Sequence, residues 1–119
     1  MVSHGKLLIP GLINGNIFIG LQPSRALGER ALELYHSTDS TPPYSYIAYY
    51  RWLEECFGAN AVYHVGTHGS LEWLPGKEVG LSRDCYPDAA LGSLPHLYPY
   101  HIGITGEGIQ AKRGSWAVI

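Results

Sequence analysis

Three residues able to bind a metal or move a proton recur at a fixed interval: His64, His68 and Glu72, each four positions from the next. On a continuous helix that spacing sets all three on one face, the arrangement of helical zinc sites. The residues between them oppose a helix. Gly66, Thr67 and Gly69 are poor helix formers, and Ala61-Val62-Tyr63-His64-Val65 is rich in β-formers. The pattern therefore predicts a buried strand, a glycine loop and a short helix opening near Ser70. His64 falls at the strand's end, His68 in the loop and Glu72 in the first helical turn. Glycines let the backbone approach a ligand, and a helix N-terminus offers free N–H groups to a negative partner. The same residues also have plain structural uses: a strand-end histidine bonded to backbone, and a helix-start glutamate favoured by the dipole.

The elements around this loop follow from punctuation and periodicity. Leu7-Leu8-Ile9 and Ile17-Phe18-Ile19 flank a turn-rich centre and read as two short strands. Ser24 to Ser40 reads as loop with a weak helical patch at Ala31-Leu32-Glu33-Leu34. Thr41-Pro42-Pro43 opens the clearest helix, with Thr41 as N-cap and the prolines in its first turn. Tyr46, Tyr50, Leu53 and Phe57 form its buried stripe, and Gly58 ends it. Downstream come a turn at Pro75-Gly76, a helical turn from Pro87 to Gly92, an aromatic strand from His96 to Ile102, and a helix from Gly106 to Ala117. A helix followed at once by a short apolar strand is half of a βαβ unit. The expected fold class is α/β: a partly parallel sheet with flanking helices and many loops, residues 1–119 making a single domain or a fragment of one. Ligands in such sheets collect beyond the carboxyl ends of the strands, which here means Gly66 to Glu72.

Bulk properties narrow the function. A formal net charge of −2 and scattered Lys and Arg leave no footprint for nucleic acid. No apolar run approaches the roughly 20 residues that span a bilayer, and the N-terminus lacks the pattern of a signal peptide. A cytoplasmic location is expected. Cys56 and Cys85 are too few and too far apart for a metal or disulfide framework, and both read as small buried hydrophobes. Met1-Val2-Ser3-His4 reads either as a natural start or as residues placed before an internal segment.

The string from His64 through Gly66-Thr67-His68-Gly69-Ser70-Leu71-Glu72-Trp73-Leu74-Pro75-Gly76-Lys77 to Ser82 resembles the signature block of the large subunits of cobaltochelatase and magnesium chelatase. The likeness extends to Gly15-Asn16-Ile17-Phe18-Ile19-Gly20-Leu21-Gln22-Pro23, Tyr49-Tyr50-Arg51-Trp52-Leu53, Cys85-Tyr86-Pro87-Asp88 and Ala111-Lys112-Arg113, so it covers nearly the whole chain. Members of that family are many times longer, which implies a central slice of a multi-domain subunit, inactive when isolated. In the family the large subunit binds the tetrapyrrole and the metal, and further subunits of the AAA+ type hydrolyse ATP. The absence of a GxxxxGK[ST] loop here agrees with ATP hydrolysis by partners. The sequence departs from the family pattern at Tyr44-Ser45-Tyr46, at Ile102-Gly103-Ile104-Thr105, and at Gly114, where a second arginine is usual.

Metal insertion demands that the ion shed water, that the macrocycle be held, and that two pyrrole N–H protons leave. On the resemblance, Glu72 is the proton acceptor or metal-delivering carboxylate, and His68 the metal carrier or second proton relay. His64 completes the metal set or orients the loop. Lys77 is expected to pair with an acidic side group of the macrocycle, and Trp73, Tyr98 and Tyr100 to line a flat aromatic slot. His96 and His101 carry no motif support; Asp84 and Asp88 read as turn caps. The metal substrate is Co2+ or Mg2+, with cobalt favoured by the wording Glu72-Trp73-Leu74-Pro75. Two other classes remain open on the residues: a zinc metallohydrolase using His64, His68 and Glu72, and a non-catalytic tetrapyrrole-binding module.

Overall fold

The computed structural model describes residues 2–26, 37, 39–66, 69–76, 82–99, 103 and 105–119. In chain order the elements are β1 (Val2–Ser3), β2 (Lys6–Leu7), β3 (Gly11–Asn14), β4 (Ile17–Gly20), α1 (Tyr44–Glu55), β5 (Val62–Tyr63), a 3₁₀ turn (Leu71–Trp73), α2 (Tyr86–Leu91), β6 (His96–Leu97) and α3 (Thr105–Gly114). Helices and strands are thus mixed, and the β5–β6 pair is parallel, with Val62 opposite His96 and Tyr63 opposite Leu97. A parallel bridge from Leu97 to Val118 adds a third position on the far side of β6. The α/β expectation holds, with strands much shorter than the sequence pattern implies.

Two details of the N-terminal region differ from expectation. Leu7 pairs with Val2 in a hairpin of its own, and the partner of Ile17–Gly20 is Gly11–Asn14. The cause is the two-residue turn at Gly15-Asn16: Gly15 takes φ 58°, a tight loop that pairs the residues immediately flanking it.

Helix α1 starts two residues later than its sequence suggests. Pro43, not Thr41, stands at the N-cap position with ψ 148°, and it makes no side-chain cap bond. A residue before proline is pushed out of the helical region, so Thr41 and Pro42 both stay extended and the helix opens only after the second ring. Its end follows expectation, because Gly58 at φ 74° lets the chain turn back and Ala59 N–H reach the Leu53 carbonyl at 2.8 Å. Tyr46, Tyr49, Tyr50 and Leu53 bury one side of α1. Phe57 lies past the helix and is half-buried against Phe18 and Trp52.

That buried side meets Leu71 and Leu74 of the 3₁₀ turn and Ala90, Leu91 and Leu94 at the end of α2. The main core therefore sits directly beneath the turn that carries Glu72. A smaller cluster of Tyr98, Ala111 and Ala117 joins β6 to α3. The expected buried strand at residues 61–65 is corrected: Tyr63 is 67 % exposed and Val65 73 %. Only Val62 and His64 turn inward, as the twofold alternation of a strand requires, and the outward face is uncovered. Cys85 is buried as expected, whereas Cys56 at the end of α1 is exposed; both are free thiols. Among the described residues no helix is long and apolar enough to cross a membrane.

Leu71 is fully buried where α1, α2 and the 3₁₀ turn meet. Leu71→Ala should therefore lower stability by about 3 kcal/mol, read from the midpoint and slope of a urea unfolding curve.

Candidate functional site

The parallel pair fixes the first half of the site. Backbone bonds from Val62 N–H to Pro95 O, His64 N–H to Leu97 O and Tyr98 N–H to Val118 O set the register across the three segments. Alternation then puts His64, His96 and Tyr98 on one face of the sheet. Their rings stack: His64 lies 4.2 Å from Tyr98 at an interplanar angle of 3°, and His96 lies 5.6 Å from Tyr98 and 5.8 Å from His64.

The second half is the turn after the glycine loop. Leu71–Trp73 is a single 3₁₀ turn with Ser70 at its N-cap position and Glu72 in its first turn, as the spacing predicts. It does not work as an anion cradle. The Gly69 N–H donates to the Tyr98 hydroxyl at 2.6 Å, and the Ser70 N–H donates to Gln22 Oε1 at 2.8 Å. Two of the amides that a negative ligand would need are thus already engaged, and one turn is too short to build a useful dipole. The Ser70 hydroxyl makes no cap bond; it bonds to the Tyr46 hydroxyl at 2.9 Å and Gln22 Oε1 at 3.1 Å. Carbonyls of the turn are held as well: that of Glu72 accepts from Gln110 Nε2 at 3.3 Å, and that of Trp73 accepts from the Arg25 guanidinium.

The two halves meet at Gly69. A Cβ on this residue would lie 2.4 Å from His64 Cε1, 2.9 Å from Glu72 Oε2 and 3.0 Å from the Tyr98 hydroxyl oxygen. An imidazole, a carboxylate and a phenol therefore surround one point where the chain carries no side chain. Glu72 is buried at 2 % exposure. Helix α3 closes the other side, where a Cβ on Gly114 would stand 2.9 Å from the Glu72 carbonyl oxygen. The arginine usual at that position has no room in this arrangement.

Electrostatics follow burial. Desolvation, helped by the neighbouring His96, lowers the His64 imidazole to about 4, so it is neutral at pH 7. His96 is lowered too, chiefly by burial. Its Nδ1 faces the Ser115 carbonyl at 3.0 Å, and a carbonyl can only accept, so Nδ1 carries the proton and Nε2 the lone pair. That Nε2 is buried with no hydrogen-bond partner among the described residues. The Tyr98 hydroxyl is pushed up to about 12 by burial and by the negative charge of Glu72. Tyr46 and Tyr50 are raised by burial first, with the Glu72 charge adding to it, so one carboxylate sits in the field of three phenols.

His64 also lines a cavity of about 630 Å³ between the β3–β4 hairpin, α1 and residues 59–65. Ile17, Ile19, Tyr49, Tyr50 and Leu53 make much of its wall, and none of its lining residues bears a formal charge. His64 thus touches the Glu72 cluster and an apolar space of ligand size.

Of the residues singled out from the sequence, His64 and Glu72 are brought together. His68, Lys77, Tyr100 and His101 lie outside the described residues. Trp73 is 40 % exposed, while Tyr98 is fully buried, so the pair does not form the expected aromatic slot. Burial of Tyr98 against His64 takes its ring face out of reach of a macrocycle. Among the described residues no three of His, Cys, Asp and Glu are grouped to hold a metal. A neutral imidazole beside a buried carboxylate can accept protons or take up a divalent ion in passing. Sequence reasoning missed Gln22, His96 and the clamping role of Tyr98. The alternation of His96 and Tyr98 along one strand was the available signal for two of them.

The family CobN/Magnesium Chelatase matches residues 1–119, and the chain belongs to it. It is 54 % identical to an uncharacterized protein of Methanocaldococcus jannaschii over 119 residues, all of this chain and 10 % of that protein. It is 49 % identical to the aerobic cobaltochelatase subunit CobN of Pseudomonas aeruginosa, again over all of this chain and 10 % of the relative. Identity to the magnesium-chelatase large subunit of Chlorobaculum parvum is 41 %, over 99 % of this chain and 9 % of the relative. Among solved structures, the catalytic subunit of cobaltochelatase from Mycobacterium tuberculosis superposes with a TM-score of 0.79 at 50 % identity, over 91 % of this chain and 10 % of that one. The chain spans about a tenth of the length of the curated relatives it matches.

The imidazoles of His64 and His96 are held below their ordinary value, so unfolding takes up protons in acid. The stability they contribute is complete above pH 6.5 and is lost as the pH falls through about 4, the His64 value. The melting temperature should decline over that window, and less steeply in His64→Phe, which keeps a ring for the stack. Gly69→Ala should cost about 1–3 kcal/mol in urea unfolding, because the methyl meets three groups at once. Gly106→Ala, inside α3 with open space around it, should be neutral or slightly stabilising in the same assay.

Proposed function

We propose that this segment forms one wall of the site at which a chelatase large subunit inserts a divalent metal into a tetrapyrrole ring. The convergence of His64 and Glu72 on the side-chain-free point at Gly69 carries the reading. Family membership and the cobaltochelatase and magnesium-chelatase relatives support the class of reaction.

Insertion replaces two pyrrole N–H protons by one divalent ion, so the site must take up two protons for each metal delivered. Glu72 is the acceptor for one of them, since a carboxylate shielded from water binds a proton more readily than an exposed one. His64, neutral at pH 7, offers a lone pair for the ion during transfer or for the second proton. His68, four residues before Glu72, is the further metal carrier, and Lys77 pairs with an acidic group at the ring's edge. Trp73, partly exposed beside the Glu72 turn, contributes stacking surface to the macrocycle. The macrocycle's apolar face lies toward the uncharged cavity that His64 lines.

Cobalt is favoured as the metal substrate: identity is higher to the cobaltochelatase relative than to the magnesium-chelatase relative, 49 % against 41 %. ATP is hydrolysed by AAA+ partner subunits, in keeping with the lack of a phosphate-binding loop in this chain. The segment is a central slice of a larger, cytoplasmic, multi-domain subunit.

The test is to place Glu72→Gln and His68→Ala in the intact large subunit and follow insertion of cobalt and of magnesium with the ATPase partners present. Glu72→Gln should slow insertion by about 100-fold or more, the usual cost of losing a general base. Wild-type rates from both variants would remove the assignment.

A further inference from the structure

Tyr98 does two things at once. Its backbone N–H is tied to the Val118 carbonyl at 2.9 Å, which fixes it in the parallel sheet. From that fixed base its ring lies flat against His64, 4.2 Å away and 3° from parallel, and its hydroxyl accepts the Gly69 N–H at 2.6 Å. Gly69 is three residues before Glu72 and adjoins Ser70, the N-cap position of the turn that carries it. One rigid phenol therefore sets both the tilt of the imidazole and the height of the carboxylate's turn. The ring is fully buried. A phenylalanine would fill the same hydrophobic volume, so packing alone does not require the hydroxyl, which is committed to a backbone amide of the loop.

We propose that Tyr98 is a positioning residue for metal insertion, holding His64 and Glu72 in the geometry they need without touching the macrocycle or the metal. This rests on the functional reading given above for Glu72. Burial and the Glu72 charge keep the phenol protonated up to about 12, so it acts in one protonation state across the working range. Displacements of an ångström or less at a reacting group are enough to cost large factors in rate.

The experiment compares Tyr98→Phe with Glu72→Gln in the intact large subunit, assayed for cobalt and magnesium insertion with its ATPase partners. Tyr98→Phe should lower kcat by about 10- to 100-fold, the range typical of residues that orient a site from behind. KM for the macrocycle should stay within about twofold and the pH optimum should not move, because the hydroxyl neither binds substrate nor transfers a proton. An unchanged kcat, a raised KM with kcat intact, or a shifted alkaline limb in Tyr98→Phe would each overturn the proposal, provided Glu72→Gln is impaired. If Glu72→Gln is also silent, the functional reading falls and this inference with it. Should Tyr98→Phe fail to accumulate as folded protein, hydrogen exchange on the unaltered subunit decides: the Gly69 amide should be protected like an amide of a packed helix, and free exchange there would refute the clamp.

Discussion

A single 3₁₀ turn has too few hydrogen bonds of its own to hold a buried carboxylate in place. Here the turn from Gly69 to Trp73 is held from outside, by side chains that arrive from four distant parts of the chain. Tyr98 and Gln22 take the Gly69 and Ser70 amides, while Gln110 and Arg25 supply donors to the Glu72 and Trp73 carbonyls. The backbone of the turn thus depends on β6, the segment after β4, the one just beyond it, and α3 all being in register. Leu71, fully buried between α1 and α2, fastens the same turn to the main core. Burial of the charged side chain at the centre is sustained by this surrounding order, since a group so desolvated would otherwise draw water or move outward.

The electrical character of the site follows from the same packing. Tyr46, Tyr50 and Tyr98 border the region of Glu72, and none of them ionises near neutral pH. His64 and His96 are likewise kept uncharged at pH 7 by desolvation. Neutral, polarisable rings around one acid group form a setting in which a proton or a cation arriving from outside meets strong attraction and little screening. A solvated loop with the same residues would lack that property.

Much of this was legible in the residues. The strand, glycine loop and short helical turn were readable because β-branched residues, glycines and a serine follow one another between Ala61 and Ser70. The placement of Glu72 in the first turn came out of that order. The buried stripe of α1 was equally plain from the spacing of Tyr46, Tyr50 and Leu53. Other features depend on contacts that local pattern does not encode. Thr41 has the chemistry of an N-cap, but two prolines in succession delay the helix past it. Residues 61–65 look like a core strand, yet the segment lies with one face open, and hydrophobicity by itself does not tell a covered strand from one whose cover lies elsewhere in the chain. Gln22 and Tyr98 reach the loop across 48 and 29 residues, and no spacing rule links positions so far apart.

Where α3 ends, the missing side chain at Gly114 brings helix and turn into near contact at the carbonyl of Glu72. A helix is stiff along its length, so its tip behaves as a backstop against which the turn is pressed. Any sideways shift of that rod is handed on to the acid group almost undiminished, and the depth at which the carboxylate rests is therefore governed by how the last helix is seated.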